Sequence, residues 1–262
     1  MPSAAASLDI ATHVRAVTDA EVAFYHEHGW VKLPRLTTPE FAAELLRVGR
    51  EWHERNGKQE TQWNALAMPG RIEPYHALMF SDVMGRNAQR LVDRKRLSGV
   101  DVPMRYRVDH FVSKPPGSGG ATYHQDSVEH GTDRAGELQF WLALAEVTAD
   151  MGPMRFMSGV HREGSLGSVF REGDDGLLNR YPLLEKLYPL TPPIEYQPGD
   201  ATVHHGYMVH GSGPNLGDRP RMSYIFSYTP ADTRWWHGKV ANSGSERIAL
   251  GDESNPIVYP KP

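Results

Sequence analysis

Two histidine-containing motifs could hold a metal ion, and the first is His124-Gln125-Asp126. It follows a glycine-rich loop over residues 116–123. Because residues i and i+2 of an extended chain point to the same side, this imidazole and this carboxylate could reach one ion. With 13 His and 15 Asp among 262 residues, however, chance alone gives about 0.7 such pairs. Taken alone, the motif is better explained as a surface pair that shares a hydrogen bond.

The second motif begins at His210 and ends at Ser223. Arg221 lies 11 residues after His210 and opens a predicted strand, on which Ser223 shares its face. An arginine fork beside a hydroxyl group suits two-point binding of a carboxylate. Two histidines and one carboxylate on one side of an ion leave its other side open, which is typical of non-haem Fe(II) oxygenases. Equally, His210 could be a core histidine and Arg221 could form a surface ion pair.

These motifs need a rigid scaffold, and the sequence after residue 102 has a pattern typical of short strands. Turns rich in glycine and proline separate strand-like runs over residues 104–114, 138–147, 154–157, 201–205 and 222–228. Short strands punctuated in this way favour a β-sandwich or barrel. Residues 162–193 interrupt the pattern, and we expect them to form an insertion that could act as a lid.

The first quarter of the chain reads as helical. Thr18, with a glutamate three residues later, predicts a capping box for a helix through His28 that ends at Gly29. Pro39 follows a threonine and begins a second helix, whose apolar residues recur at helical spacing. We therefore expect a mainly β protein with flanking helices. The expected domain covers residues 1–262, with residues 1–17 frayed and 230–262 forming a C-terminal tail.

Composition excludes several classes of protein. The mean hydropathy is −0.52 and no apolar run reaches about 18 residues, so we expect no membrane span. The net charge of −4 argues against nucleic acid as a partner. The N-terminus has no apolar signal core, which predicts a cytoplasmic protein.

The absence of cysteine narrows the metal chemistry. It excludes disulfides, thiolate zinc sites, iron–sulfur clusters and cysteine nucleophiles. Any metal must therefore be held by histidine and carboxylate, which suits iron, manganese or zinc.

In their order and approximate spacing, the motifs resemble the phytanoyl-CoA dioxygenase family of Fe(II)/2-oxoglutarate oxygenases. The matching segments are KPPGSG at 114–119, HQDS at 124–127, WLAL at 141–144, GPMRFMSGVH at 152–161, GD at 199–200 and HGSGPN at 210–215, followed by Arg221. The segment FYHEHGWV at 24–31 also resembles the opening helix and strand of the family. The resemblance implies a double-stranded β-helix core, that is, a jelly roll of the cupin kind.

The resemblance also implies residue roles. His124, Asp126 and His210 would ligate iron, and Arg221 would bind the distal carboxylate of 2-oxoglutarate. Further contacts to this cosubstrate would come from Ser212, Trp141 and Met104, with Ser223 beside Arg221 on its strand. The family also uses a basic residue from further upstream, for which Arg71 is the candidate. Since related iron halogenases lack the carboxylate ligand, the presence of Asp126 disfavours halogenation.

The implied activity is O₂-dependent oxidation of a small molecule, with release of succinate and CO₂. Hydroxylation of an unactivated C–H bond is the leading expectation, and a secondary metabolite is a candidate substrate. The same cofactors could instead serve desaturation, epimerisation or cyclisation. The residues are also compatible with a cupin-like metal-binding protein, an isomerase without 2-oxoglutarate, or a catalytically silent interaction protein. The sequence predicts neither the substrate nor the oligomeric state.

Overall fold

The computed structural model describes residues 9–56, 66–68, 70, 72–92, 102–130, 135–167, 176–234 and 256–260. Helices in these residues are α1 (Asp19–His28), α2 (Pro39–Asn56), α3 (Glu73–Met79), α4 (Asp82–Leu91), α5 (Asp126–His130), α6 (Leu177–Arg180) and α7 (Leu184–Leu187). Strands are β1 (Trp30–Leu33), β2 (Met104–Lys114), β3 (Ala121–His124), β4 (Leu138–Ala143), β5 (Met154–Phe156), β6 (Ala201–His205), β7 (His210–Ser212), β8 (Arg221–Pro230) and β9 (Ile257–Tyr259).

The described strands form two antiparallel sheets. The larger sheet has the order β1-β6-β4-β8-β2-β9, and the smaller sheet has the order β3-β7-β5. Neighbours that are distant in sequence show that the chain passes repeatedly between the sheets, as the winding of a jelly roll requires. The predicted fold class, a mainly β protein with flanking helices and a double-stranded β-helix core, is confirmed.

The larger sheet has two chemically different faces, because side chains alternate along its strands. On the outer face, Phe140 and Phe226 stack with ring centroids 5.1 Å apart, and they share one core with Phe41 of α2. On the inner face, Trp141 packs in a second core with Phe156 of the smaller sheet. The helices therefore cover the outer face, and the space between the two sheets contains the inner one.

A β-bulge in β2 changes which of its residues share a face. The pairing of β2 with β8 shifts between Tyr106 and Val108, which leaves Arg107 as the extra residue. Tyr106 and Asp109 consequently reach each other although they are three positions apart, and Tyr106 Oη donates to Asp109 Oδ1 at 2.6 Å. The buried Asp109 also accepts from the Leu66 amide at 2.8 Å, so it ties the segment before α3 to the sheet.

The local signals near the N-terminus act as predicted. The Thr18 side chain accepts from the Glu21 amide, and the Glu21 carboxylate accepts from the Thr18 amide at 2.8 Å, which completes the capping box of α1. Gly29 ends α1 in the left-handed region with φ of 75°. Helix α2 begins at Pro39, as its sequence predicts. The runs 104–114 and 201–205 are confirmed as strands, and the run from 138 ends at Ala143, earlier than predicted.

The prediction that residues 1–17 are frayed is wrong for the described residues 9–17. Val14 forms a bridge with Thr37, and Val17 is 2% exposed. The Val17 amide also donates to Asn87 Oδ1 at 2.9 Å. Burial of two valines and this hydrogen bond hold the segment against α4, which outweighs the conformational freedom of a chain end.

Two other predicted segments also contain structure. Part of the predicted tail forms β9, which pairs with the start of β2. In the predicted lid insertion, Leu177 and Leu184 are buried in the core between the sheets, and residues 168–175 lie outside the described residues. None of the helices in the described part of the chain has the length and apolar content that a membrane span requires.

Candidate metal and cosubstrate site

The three predicted metal ligands lie together in the structure. His124 ends β3, and its antiparallel partner in β7 is His210. Asp126 begins α5, two residues after His124. One ligand atom from each residue lies within 4.8 Å of the other two, with Asp126 Oδ1 3.3 Å from His124 Nε2 and 3.7 Å from His210 Nε2. This spacing lets one ion contact all three side chains.

Backbone carbonyls orient both imidazole rings. His124 Nδ1 lies 2.6 Å from the Thr122 carbonyl oxygen, and His210 Nδ1 lies 3.0 Å from that of Met208. Because a carbonyl oxygen only accepts, each Nδ1 carries the proton and donates. Each Nε2 is then left with a lone pair that faces Asp126, which is the arrangement that metal ligation needs.

The carboxylate of Asp126 has two different neighbourhoods. Oδ1 faces the two predicted ligand histidines, whereas Oδ2 accepts from His204 Nε2 at 3.1 Å. Burial opposes ionisation of this group, but the surrounding imidazoles of His210, His124 and His204 hold the pKa of Asp126 well below its ordinary range. Burial and the neighbouring His204 likewise hold the pKa of His210 well below its ordinary range. An ionised carboxylate beside a neutral imidazole is the donor chemistry that binds Fe(II).

The predicted carboxylate-binding residues lie on the inner face of the larger sheet. Arg221 is the first residue of β8, and its guanidinium lies 5.2 Å from the Trp141 ring centroid. It donates to the Gly152 carbonyl, but its Nε has no hydrogen-bond partner in the described residues. Trp141 Nε1 and Ser223 Oγ are buried nearby in the sheet and equally lack partners in this part of the chain. Buried donors without partners are rare, so these groups fit a bound carboxylate.

Burial also affects the charge of the guanidinium. Arg221 is 5% exposed, and burial lowers its pKa to about 10. The group is still charged at neutral pH, but it is held away from water without a carboxylate partner among the described side chains. Such a group stabilises an incoming anion more strongly than an exposed arginine does. Ser212, the last residue of β7, lies close to this region through Lys114, whose Nζ is 3.2 Å from Ser212 Oγ.

The placement of Met104 in the cosubstrate pocket is wrong. Lys114 pairs with Arg221 at one end of β2, and Met104 pairs with Pro230 at the other end. At about 3.3 Å per residue, Met104 therefore lies about 33 Å from the arginine end of the strand. Its side chain is buried in the core that contains the helices. Arg71, the candidate upstream basic residue, lies outside the described residues.

Sequence reasoning missed three residues of this region. The sequence favours a structural role for His204, yet it contacts Asp126, and it favours a loop-orienting role for Lys114, yet this residue faces Arg221. His110 of β2 and Trp141 of β4 are both register partners of Ile225 in β8, one on each side. Because directly paired residues share a face and Trp141 lies on the inner face, His110 lies there too. Burial, followed by the charge of Arg107, holds the pKa of His110 well below its ordinary range. The spacing of four residues before Lys114 could have indicated this face.

Comparison with known proteins identifies the family. The sequence profile described as Phytanoyl-CoA dioxygenase (PhyH) matches residues 25–223. The chain belongs to this family. A member of the phytanoyl-CoA dioxygenase family with this His-Asp-His cluster is a 2-oxoglutarate-dependent non-haem iron oxygenase.

The relatives are distant in sequence. Dioxygenase lolE1 from Epichloe uncinata is 23% identical over 234 residues, which cover 81% of this chain and 82% of that protein. Phytanoyl-CoA dioxygenase domain-containing protein 1 from Danio rerio is 30% identical over 135 residues, and the match spans only 48% of this chain and 45% of the relative. Among solved structures, the non-heme alpha ketoglutarate dependent carbocyclase SnoK from nogalamycin biosynthesis superposes with a TM-score of 0.71 at 21% identity, covering 92% of this chain and 96% of SnoK. At that identity, the likeness supports the fold alone.

Proposed function

We propose that the protein uses Fe(II), 2-oxoglutarate and O₂ to hydroxylate an unactivated C–H bond of a small molecule, with release of succinate and CO₂. The observation that carries the proposal is the combination of two features on one scaffold. One is the cluster of His124, Asp126 and His210, and the other is the buried Arg221, whose Nε has no partner in the described residues.

In this proposal, the three clustered side chains hold iron through His124 Nε2, Asp126 Oδ1 and His210 Nε2. With three protein ligands, the ion would keep coordination positions for the cosubstrate and O₂. When bound, iron with 2-oxoglutarate and O₂ supplies the oxidising power that removes a hydrogen atom from the substrate.

The inner face of the larger sheet orients the cosubstrate. Arg221 pairs with the distal carboxylate of 2-oxoglutarate, and Ser212 and Ser223 offer hydroxyl groups to the same end of the molecule. The Trp141 ring, which lies beside the guanidinium, walls the pocket and keeps water from it. A metal-binding protein or isomerase without 2-oxoglutarate would have no use for this buried guanidinium.

Cyclisation is the second candidate reaction. It is suggested by SnoK, a carbocyclase that shares this fold over almost the whole of both chains. Desaturation and epimerisation would need the same cofactors and the same protein groups. Which outcome follows depends on where the substrate is held, since the oxidising step is common to all of them. A secondary metabolite as substrate and a cytoplasmic location stay predictions of the sequence.

The test measures succinate release by the Fe(II)-loaded protein with 2-oxoglutarate and O₂, together with the mass of products from a panel of small molecules. Hydroxylation adds one oxygen atom, desaturation or cyclisation removes two hydrogen atoms, and epimerisation leaves the mass unchanged. We expect Asp126→Ala to abolish succinate release, and the exposed Asp218→Ala, as the matched control, to retain it. Full turnover by Asp126→Ala would overturn the ligand assignment. Formation of the oxidised product at an unchanged rate without 2-oxoglutarate would overturn the reaction class.

A further inference from the structure

Two buried cations face each other across the strands β2 and β8. Lys114, the last residue of β2, is the register partner of Arg221, the first residue of β8. Both are almost fully buried, with exposures of 8% and 5%. Like charges directly opposite each other destabilise a sheet, and buried lysine or arginine is normally paired with an anion.

The described residues supply no anion to this pair. No ion pair with a carboxylate is formed by Lys114 or by Arg221 within the described ranges, although the exposed Arg47 and Arg219 each form one. The Lys114 ammonium donates to the Gly213 carbonyl and lies 3.2 Å from Ser212 Oγ. Since an ammonium has three protons, one remains for a ligand, as does the Nε–H of Arg221.

We propose that Lys114 is a second cation for the distal carboxylate of 2-oxoglutarate, which it binds together with Arg221 and Ser212. This inference rests on the proposed function, and it adds a cosubstrate-binding residue to it. The carboxylate would lie between an ammonium and a guanidinium that otherwise repel each other. Binding of the cosubstrate would then offset the repulsion between the Lys114 ammonium and the Arg221 guanidinium. This gain is available only to an oxo acid with a second carboxylate, so it would strengthen selection for such an acid.

The titration of Lys114 supports this geometry. Burial and the charge of Arg221 lower the pKa of Lys114 to about 8. The groups around its amine are Arg221 from β8, Ser212 from β7 and the carbonyl of Gly213, and none of them carries a negative charge. A bound carboxylate favours the ammonium form, so above pH 8 binding must take up a proton. The affinity for 2-oxoglutarate should therefore fall as the pH rises above about 8.

A purely structural role for Lys114 makes a different prediction. Its backbone carbonyl accepts from Asn215 Nδ2 at 2.8 Å, and its amine contacts the end of β7, so the side chain could simply brace this turn. Loss of a brace would lower stability and weaken the binding of every oxo acid alike. Loss of a carboxylate ligand would weaken only acids that carry the distal carboxylate.

The experiment measures dissociation constants by calorimetry on the oxygen-free, Fe(II)-loaded protein. The probes are 2-oxoglutarate and 2-oxopentanoate, which has the same chain length but no distal carboxylate. For Lys114→Met we expect binding of 2-oxoglutarate to weaken about 10- to 100-fold, with binding of 2-oxopentanoate unchanged. Lys114→Arg should retain most of the affinity, and Lys186→Met, which removes an exposed lysine, should behave as wild type. Equal weakening for both acids, or none for 2-oxoglutarate, would overturn the inference.

A pH series on the wild-type protein covers the case in which Lys114→Met does not fold, as judged by its thermal melt. Above pH 8, the dissociation constant for 2-oxoglutarate should rise by up to about tenfold per pH unit, and it should stay level for Lys114→Arg. A level wild-type profile would overturn the inference by itself. If the wild-type protein binds no 2-oxoglutarate at any pH, it is the proposed function that fails, which separates the two failures.

Discussion

Replacing His204 by phenylalanine should weaken metal binding without removing a ligand. His204 is 1% exposed, and its Nε2 donates to Asp126 Oδ2 at 3.1 Å. Phenylalanine keeps a ring at this position, where the centroid of His204 lies 4.1 Å from that of His210 and 5.4 Å from that of Phe156, so the main loss is the hydrogen bond. The carboxylate of Asp126 would then be buried with Oδ2 deprived of this donor.

The magnitude follows from the nature of this hydrogen bond. A hydrogen bond to a charged group contributes about 1.5–3 kcal/mol, and every 1.4 kcal/mol corresponds to about a factor of ten in a dissociation constant. Removal of a partner that orients a metal ligand costs about 10- to 100-fold in metal affinity, which is the same range. We therefore expect the Fe(II) dissociation constant of His204→Phe to rise about 10- to 100-fold.

The assay is an oxygen-free calorimetric titration with Fe(II), accompanied by a thermal melt of the metal-free protein. The matched control is His205→Phe, which makes the same substitution at the next position of β6, where the side chain points to the opposite face. The control should bind Fe(II) as the wild type does. Wild-type affinity in His204→Phe would refute the reasoning, and equal weakening in both variants would indicate general damage to β6.

Three further changes test the scaffold and the pocket. Gly206→Ala would place a Cβ 1.8 Å from Ser127 Oγ and 3.0 Å from Ser127 Cβ, so rotation of the hydroxyl alone would leave a tight contact with α5, and metal affinity should fall. Gly119→Ala, with no atom within 4 Å of its Cβ, should bind metal normally, and normal binding by both variants would contradict a close fit at α5. Arg221→Met should raise the KM for 2-oxoglutarate in the succinate assay by at least about tenfold with a smaller change in kcat, and an unchanged KM would count against the carboxylate pocket. Phe226→Ala removes a fully buried ring and should lower the free energy of unfolding by about 3–5 kcal/mol in chemical denaturation, a loss below about 1 kcal/mol being inconsistent with the described core.

Much of the scaffold could be predicted because its signals are local. The capping box at Thr18 and the glycine at position 29 act within one helical turn, and they define both ends of α1. The apolar runs of β2 and β6 lie between strong turn signals, so their bounds could be read directly. The segment around Val17 and the strand β9 carry no comparable local signal. Val17 and the strand β9 are held by partners far away in the sequence, namely Asn87 and the start of β2.

The ligand motifs of the candidate site could be predicted from the sequence, but the residues that surround them could not. His124 and Asp126 are close in sequence, and the family pattern supplied His210. The residues around them depend on the register between strands, which no local signal encodes. Register places Lys114 opposite Arg221 and sends Met104 to the far end of β2. The packing of α5 against β6 likewise decides that His204, rather than its neighbour His205, reaches the carboxylate.

The extra residue at position 107 reverses the alternation of side chains along β2, so residues an even number apart on its two sides point to opposite faces. Counting in twos from Lys114 finds the pocket-facing residues as far as Val108, and beyond Arg107 the same count finds the helix-facing Tyr106 and Met104. A relative that lost this single residue would have to turn one half of the strand over or break the Tyr106–Asp109 hydrogen bond. An insertion or deletion at this point therefore changes the sheet face to which the side chains of one half of β2 point. Alignments of this strand are meaningful only when they treat its two halves separately.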